Sequence, residues 1–527
     1  MLHMQRVSIW IKGNRMETEQ RKNADEIHVD NNTGSGNGIG SEICKENDAE
    51  AAGETGSMVG KENKKDKRTE LFESMPIPQA VMQLIIPTIV GSLVAVLYNL
   101  ADTYFVGMLN DPVQNAAVTL VAPVMLAFNA VNNLFGVGSS SMMSRALGAK
   151  NYDKCYHSAA FGFYASLFCG LMISVFFTAF RAPAMAVLGT TEVTAEATAE
   201  YMKWTVCFGA VPSIMNVILS YMVRSEGAAL HATIGTMSGC LLNIVLDPFF
   251  ILPQFLGMGA AGAGLATFIS NCVACTYYIV LSFAKRKTTI VKLHPRYFTL
   301  DKAIVLGICA VGVPASIQNL LNVAGMTILN NFTASYGANA VAAMGIAQKC
   351  VNVAWYICLG ASQGIMPMVS YNYASGDYKR MRGTVGFFLK LMLPAAILIM
   401  LFYHLGAEQI IGFFMKDTEV VGYGTVFMRG FCLAVPLICT DFLAVGVFQA
   451  LGLGQYSLVF AILRKIVLEI PALFIYKHVF GIYGLAYAQP TAELVLCIAA
   501  VVMLVKLMGM KKETPDSLGK PDKDAEL

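Results

Sequence analysis

AVMQLIIPTIVGSLVAVLYNLADTYFVGML, residues 80–109, carries one charge in thirty positions, the carboxylate of Asp102. With a helical rise of about 1.5 Å per residue the run is long enough to cross a bilayer. An aspartate near the centre of such a helix costs roughly 2.5 to 3.5 kcal/mol on insertion scales, so it marks an ion or substrate pathway by default. The competing reading is a structural pair with an arginine or a hydroxyl.

Working outward, apolar runs of similar length recur at about 114–142, 155–180, 199–223, 230–253, 260–283, 302–332, 337–368, 383–405, 421–450, 456–476 and 482–507. With 80–109 they predict twelve transmembrane helices and an all-α, polytopic membrane protein. Composition agrees: 55% of the 527 residues are hydrophobic and 14% charged, against about 25% charged in a soluble domain. The charges crowd into the two ends and a few connectors, so the net +3 points to no nucleic-acid partner. Lys and Arg gather at Arg145/Lys150/Lys154, Lys285 to Lys302, Lys379/Arg380/Arg382 and Lys511/Lys512, which predicts a cytoplasmic face there. An even span count puts both termini on that side of a plasma (inner) membrane.

Residues 1–75 read as a disordered cytoplasmic tail, with NNTGSGNGIG followed by the charged KENKKDKR from Lys61. Val7 to Ile11 is too short for the apolar core of a signal peptide. Most cysteines fall inside apolar runs, where a thiol behaves as a small hydrophobe, and Cys272/Cys275 lack the second pair a metal knuckle needs.

The second half repeats the first in the same order and at a nearly constant offset. PTIVGSL from Pro87 resembles PASIQNL from Pro314, SRALGAKNY from Ser144 resembles SYNYASGDY from Ser370, and AVPSI from Ala210 resembles AVPLI from Ala434. IVLDP from Ile244 meets IVLEIP from Ile466, and GAGLAT from Gly262 meets IYGLAY from Ile482. Six spans between equivalents give a parallel repeat about an axis along the membrane normal. The expected division is a six-helix lobe over 76–297, a second over 298–510 and a cytoplasmic tail over 511–527, with a central cavity suited to alternating access.

Asn243 and Asp247, four apart, share one helix face, and Pro248 removes a backbone donor from that turn. Thr267 in the next span adds a hydroxyl. Asp102 completes the set if the first span packs beside them, a contact the sequence alone does not give. Two neighbouring buried carboxylates cannot both stay ionised without a cation, and oxygen-only ligands suit a proton or Na+ over a transition metal. The candidate cation-coupling residues are therefore Asp102, Asn243, Asp247 and Thr267, with Na+ as a candidate metal. Polar residues in spans bordering the expected cavity, Asn99, Gln318, Asn322, Gln348, Gln449 and Glu469, are candidates for the substrate path. Arg464, Lys465 and Glu469 are at salt-bridge spacing, with Asp441 and Glu493 in the tenth and twelfth spans.

YNLADTYFVGML, GVGSSSMMSRALGAKNY, LLNIVLDPFFI, GASQGIMPMVSYNYASGDY and the FQALG around Gln449 together resemble the multidrug and toxic compound extrusion family, in its bacterial multidrug-exporter branch, over residues 76 to 507. That resemblance implies two six-helix lobes and exchange of protons or sodium for cationic, amphipathic drugs. It sets Asp102 against the first-helix acid, Asn243 and Asp247 against the fifth-helix pair, and Thr267 against a sixth-helix threonine. A seventh-helix acid used by another branch is absent, with Gln318, Asn319 and Asn322 in that region. The expected partners are small cationic substrates and the lipid bilayer, with no cofactor beyond the coupling ion and a monomeric chain.

Rival readings fare worse. GMGAAGAG fits GxGxxG but lies between two spans with no preceding strand, and no GxxxxGK[ST] loop exists for ATP. No HExxH or nucleophile–base grouping suggests an enzyme. A flippase for lipid-linked saccharides, of related architecture, is the alternative and should show a more cationic cavity.

Overall fold

A computed structural model describes residues 69–109, 111–415 and 417–509, and the expectations for most of the two tails fall outside them. The described residues form helices joined by short connectors. Helices α1 (Ile77–Gly107), α2 (Pro112–Gly148), α3 (Tyr152–Ala179), α4 (192–225), α5 (Ala229–Ile251) and α6 (Ala260–Ala284) make the first half. Helices α7 (Lys302–Ala334), α8 (Ala338–Ala374), α9 (Tyr378–Leu405), α10 (Thr418–Ala450), α11 (454–480) and α12 (Leu485–Gly509) make the second. Two stretches depart from simple rods. α4 bends by 46° between Phe208 and Ala210 and is one kinked span. The apolar stretch Gly454–Gly509 is two spans, because Tyr476 and Thr491 meet at 3.0 Å across a turn at Gly481–Gly484, which requires a hairpin. Twelve crossings result, as the hydropathy pattern predicts.

The repeat is sharper in three dimensions than in sequence. Helix starts at 77, 112, 152, 192, 229 and 260 recur at 302, 338, 378, 418, 454 and 485, a spacing that hardly varies from one pair to the next. Even a local strain recurs: Lys150 (φ +56°) and Gly376 (φ +80°) hold the same left-handed position in equivalent turns. The following residues, Asn151 and Asp377, then cap α3 and α9 by accepting from Lys154 N at 3.0 Å and Arg380 N at 2.8 Å. Asp111, Asp301 and Asp417 cap α2, α7 and α10 in the same way. Cys272 and Cys275 are free thiols on α6, as their place in an apolar run predicts.

The two halves meet chiefly through α1 against α8 and α2 against α7. Small residues make this approach possible, as is usual where helices pack without a hydrophobic driving force. A Cβ on Gly312 would collide with the Leu134 carbonyl, and one on Gly364 would come within 2.5 Å of Thr88 Oγ1. Ser316 donates to Ala130 O at 2.6 Å, Ser141 to Gln449 O at 2.5 Å, and Arg224 Nη1 to Gln363 Oε1 at 2.8 Å. Among the described residues, these bonds between halves lie from mid-helix to the end carrying connectors 149–151 and 375–377. That end is closed.

Residues 69–75, expected to belong to the disordered tail, instead help close it. Glu70–Ser74 forms a short helical turn whose Leu71 and Phe72 are buried. Phe72 stacks on Tyr371 at 4.8 Å between centroids, and Tyr371 OH donates to Glu73 at 2.7 Å. Arg380 donates to the carbonyls of Leu71, Phe72 and Met75 at 3.1, 2.5 and 2.6 Å. Two apolar side chains among many charges were too weak a pattern to read as structure.

Gly312→Leu should therefore overpack the α2–α7 contact at a cost of about 1–3 kcal/mol. A lowered unfolding midpoint of the detergent-solubilised protein is the expected result, and an unchanged midpoint would show that α2 and α7 do not touch there.

Candidate functional site

The first site sits among α1, α5, α6 and α4. α1 lies along α5, where Thr233 Oγ1 donates to the Pro87 carbonyl at 2.8 Å and Gly91 abuts Thr233. Farther along, Val106, Ile251 and Ala263 pack together from α1, α5 and α6. This packing supplies the contact that sequence could not: it brings Asp102 into electrostatic range of Asp247. Asn243 and Asp247 are buried. In one orientation the Asn243 amide donates to Thr267 Oγ1 at 3.4 Å. Turned over, it donates to Asp247 Oδ2 at 3.0 Å and accepts from Thr267 N at 3.1 Å, which satisfies both ends. Pro248 meanwhile leaves the Ile244 carbonyl without its helical donor.

All four predicted residues, Asp102, Asn243, Asp247 and Thr267, thus come together. Asp102 is half-buried, and its Oδ1 is shielded from solvent with no hydrogen-bond partner. A shielded carboxylate oxygen near a second acid, an amide and a hydroxyl makes a set of hard oxygen donors, whose chemistry suits a proton or a small hard cation better than a soft metal. Two residues escaped the sequence reading. Tyr98 lies beside Thr267 and near both acids, and Tyr201 of α4 lies near the same pair. Tyr98 is four residues before Asp102 and could have been found by helical spacing; Tyr201 is placed only by tertiary packing.

The second half holds different chemistry in the same frame. Among α7, α8, α10, α11 and α12 lies a cavity of about 250 Å³. The α11 helix widens into a π turn over Leu463–Glu469, a distortion frequent at functional sites, and this turn carries Arg464, Lys465 and Glu469. All three are buried, as are Asp441 and Glu493. Arg464 pairs with Asp441 and, through Nε, with Glu493 Oε1 at 3.2 Å, while Lys465 pairs with Glu469 at 2.7 Å. The i,i+4 bridge predicted within α11 exists, but Arg464 turns away from Glu469 to acids on two other helices.

Of the substrate-path candidates, Asn322, Gln348 and Glu469 line this cavity. Gln449 does not: it is buried at the closed end, where its carbonyl accepts from Ser141. Asn99 is exposed, with its amide bonded to Ala95 O at 2.7 Å, and neither it nor Gln318 borders the cavity. The GMGAAGAG connector is a turn, with Gly257 and Gly259 at φ +62° and +59° and Gly262 pressed on the Phe250 carbonyl. Among the described residues no group of three or more His, Cys, Asp and Glu converges to hold a metal.

A family model described as MatE matches residues 87–249 and 314–475, one segment in each half. The chain belongs to the MatE family, the multidrug and toxic compound extrusion transporters. It is 31% identical to the multidrug export protein MepA of Staphylococcus saprophyticus over 84% of this chain and 97% of that protein. To MepA of Staphylococcus haemolyticus it is 30% identical over 84% and 96%. It is also similar to a solved outward-facing conformation of a multidrug resistance MATE transporter, at TM-score 0.79 and 26% identity, over 85% of this chain and 99% of that one. A Pyrococcus furiosus transporter of the MOP superfamily, described as having a binding pocket of reverse polarity, matches at TM-score 0.78 and 26% identity over 85% and 100%. Membership makes this MATE protein a multi-pass membrane transporter for small molecules and not an enzyme.

In this MATE protein Arg464 is the hub of the second-half charges. Arg464→Leu should strand Asp441 and Glu493 as uncompensated buried acids at about 3–5 kcal/mol. Arg464→Leu/Asp441→Leu should recover part of that loss. Monodispersity on size exclusion and the unfolding midpoint read both variants; equal stability of Arg464→Leu and wild type would refute the hub.

Proposed function

We propose that the protein is a secondary antiporter that exports cationic or amphipathic drugs in exchange for protons or Na+, with Asp102, Asn243, Asp247 and Thr267 as the coupling site. The observation carrying this reading is the shielded, partnerless Oδ1 of Asp102 beside Asp247. A bound cation would let both acids remain in low dielectric, and its release would leave an uncompensated charge. The two states of the site thus differ in free energy in a way that rocking of the halves can exploit. Tyr98 lies near the acids, and Asn243 holds Asp247 through its amide. One charge crossing 100 mV supplies about 2.3 kcal/mol, roughly a fifty-fold substrate gradient.

The closed end carries Arg145, Lys150, Lys154, Lys285, Lys379 and Arg380, which supports placing it in the cytoplasm of a plasma-membrane protein with both termini inside. On that assignment the halves are sealed on the cytoplasmic side, an outward-facing arrangement. The flippase alternative draws little support from the second-half cavity, whose Arg464 and Lys465 are already matched by Asp441, Glu469 and Glu493.

The test is efflux of a fluorescent cationic drug from loaded vesicles, with proton and sodium gradients imposed separately. Asp102→Asn should abolish uphill export at normal membrane insertion; continued concentration of drug against a gradient would remove its coupling role. Asp247→Asn and Asn243→Ala should weaken cation binding, measured by isothermal titration. Undiminished affinity in both would break up the shared site.

A further inference from the structure

At the closed end the short turn Glu70–Ser74 touches both halves, but unequally. On the second half, Arg380 of α9 donates to the carbonyls of Leu71, Phe72 and Met75, Tyr371 of α8 donates to Glu73, and the Tyr371 ring stacks on Phe72 at 4.8 Å. Three charge-assisted bonds from one guanidinium fix the backbone of this strap in direction as well as in distance. On the first half the counterpart is a notch. Gly227, in the turn between α4 and α5, holds a left-handed φ of +83°, and a Cβ there would come within 2.8 Å of Phe72 Cζ and 3.0 Å of Leu71 Cδ2. The missing side chain is what lets the tip of the Phe72 ring enter.

The other ties to the first half are weak. The Lys150–Glu73 pair is long, at 3.9 Å, and both side chains reach solvent, so it contributes little. Beside Thr69 lies a cavity of about 320 Å³ whose walls include Leu147, Tyr152, Lys287 and Ile290 of the first half. The strap thus borders open space toward one half and is hydrogen-bonded to the other. It joins α1 through Met75 and Pro76, both extended, and Pro76 brings no N–H to tie the junction down. Gly148 of α2 presses on the carbonyl of the same Tyr371 on which Phe72 stacks, so the halves meet at that residue. Parting them there pulls the strap off one of its two supports.

We infer that residues 69–75 are a releasable pin: they travel with the second half, and this end opens only when Leu71 and Phe72 withdraw from the Gly227 notch. The support that breaks is an apolar ring tip against a glycine, and leaving it strands no buried donor or acceptor. The support that persists is directional and charge-assisted, and breaking it would leave a guanidinium and three carbonyls unmatched. A contact that can be left and re-entered suits an element that must detach each time the halves exchange one packing for another. Met75 and Pro76 are the link that absorbs the movement, because α1 itself lies along α5 of the first half. The inference rests on the reading of the protein as an alternating-access transporter, and adds which contact must break for this end to open.

The test uses purified full-length protein in lipid nanodiscs, with spin labels on keto-bearing residues at the exposed positions 153 in the first half and 379 in the second. Double electron–electron resonance gives the distance between them across pH and Na+, with and without a cationic drug. In Phe72→Cys/Gly227→Cys a short, reducible bis-methanethiosulfonate linker ties the strap to the first half, and in Phe72→Cys/Tyr371→Cys the same linker ties it to the second. Wild type treated with the linker controls for the native thiols. The first tether should cut the population at the longer distance at least tenfold, and reduction should restore it; the second should leave that population within twofold of the unlinked protein. Phe72→Ala needs no linker, should raise the same population at least threefold, and decides alone if the cysteine pairs do not link or fold. A longer distance that persists under the first tether, is lost under the second, is unmoved in Phe72→Ala, or never appears in wild type would each overturn the pin. No export is measured, so such a failure leaves the drug and its coupling ion to the vesicle assay, and uphill export by Asp102→Asn would remove coupling without touching this result.

Discussion

A charge in hydrocarbon is tolerated only where something compensates it, and the architecture of this protein is arranged around two places where that demand is met differently. In the first half one of a pair of acids is braced by an amide, and an oxygen of the other is shielded without a hydrogen-bond partner. In the second half Arg464 and Lys465 pair with three buried acids, Asp441, Glu469 and Glu493. Both clusters are carried by helices that pack closely, with small residues such as Gly91 and Gly325 against Thr233 and Lys465.

The frame is a repeat and the chemistry is not. Equivalent helices start at a nearly constant interval, yet Asp247 lies farther from the start of α5 at Ala229 than Glu469 lies from the start of α11 at Gly454. The difference is nearly one helical turn, so the two acids stand at different depths in equivalent helices. Helix α5 carries Pro248, which withholds one backbone donor, whereas α11 widens into a π turn, two ways of freeing backbone groups. Symmetric halves suit alternating access because either end can be closed by a similar rearrangement, while asymmetric sites allow ion and substrate to be held apart.

Closure of one end depends on contacts of another type. Gly312, Gly364, Ser141 and Arg224 bring the halves together, and the turn at Glu70–Ser74 is strapped over their ends by Arg380 and Tyr371. Hydrogen bonds to backbone carbonyls and close contacts of small residues hold this end together, alongside buried apolar side chains such as Leu84, Met142, Ile308 and Ile365 from both halves. Such an interface suits a molecule that must exchange one packing for another.

Much was legible from residues alone. Twelve spans, their parallel repeat and the acid in the first span follow from hydropathy and charge, because hydrocarbon thickness imposes a length and penalises every ion. Asn243, Asp247 and Thr267 were readable from four-residue spacing and a short connector. The approach of Asp102 to them was not, since it depends on α1 lying along α5, and neither was Tyr201, which reaches the site from a helix distant in sequence. Asn99 and Gln449 looked like path residues because they are polar, but polarity does not say which way a side chain faces; packing set one against its own helix backbone and the other at the closed end. Sequence by itself determined that buried charge would need partners. Tertiary structure decided which partners, because hydrogen bonds and ion pairs act over a few ångströms that only the packing of helices brings about.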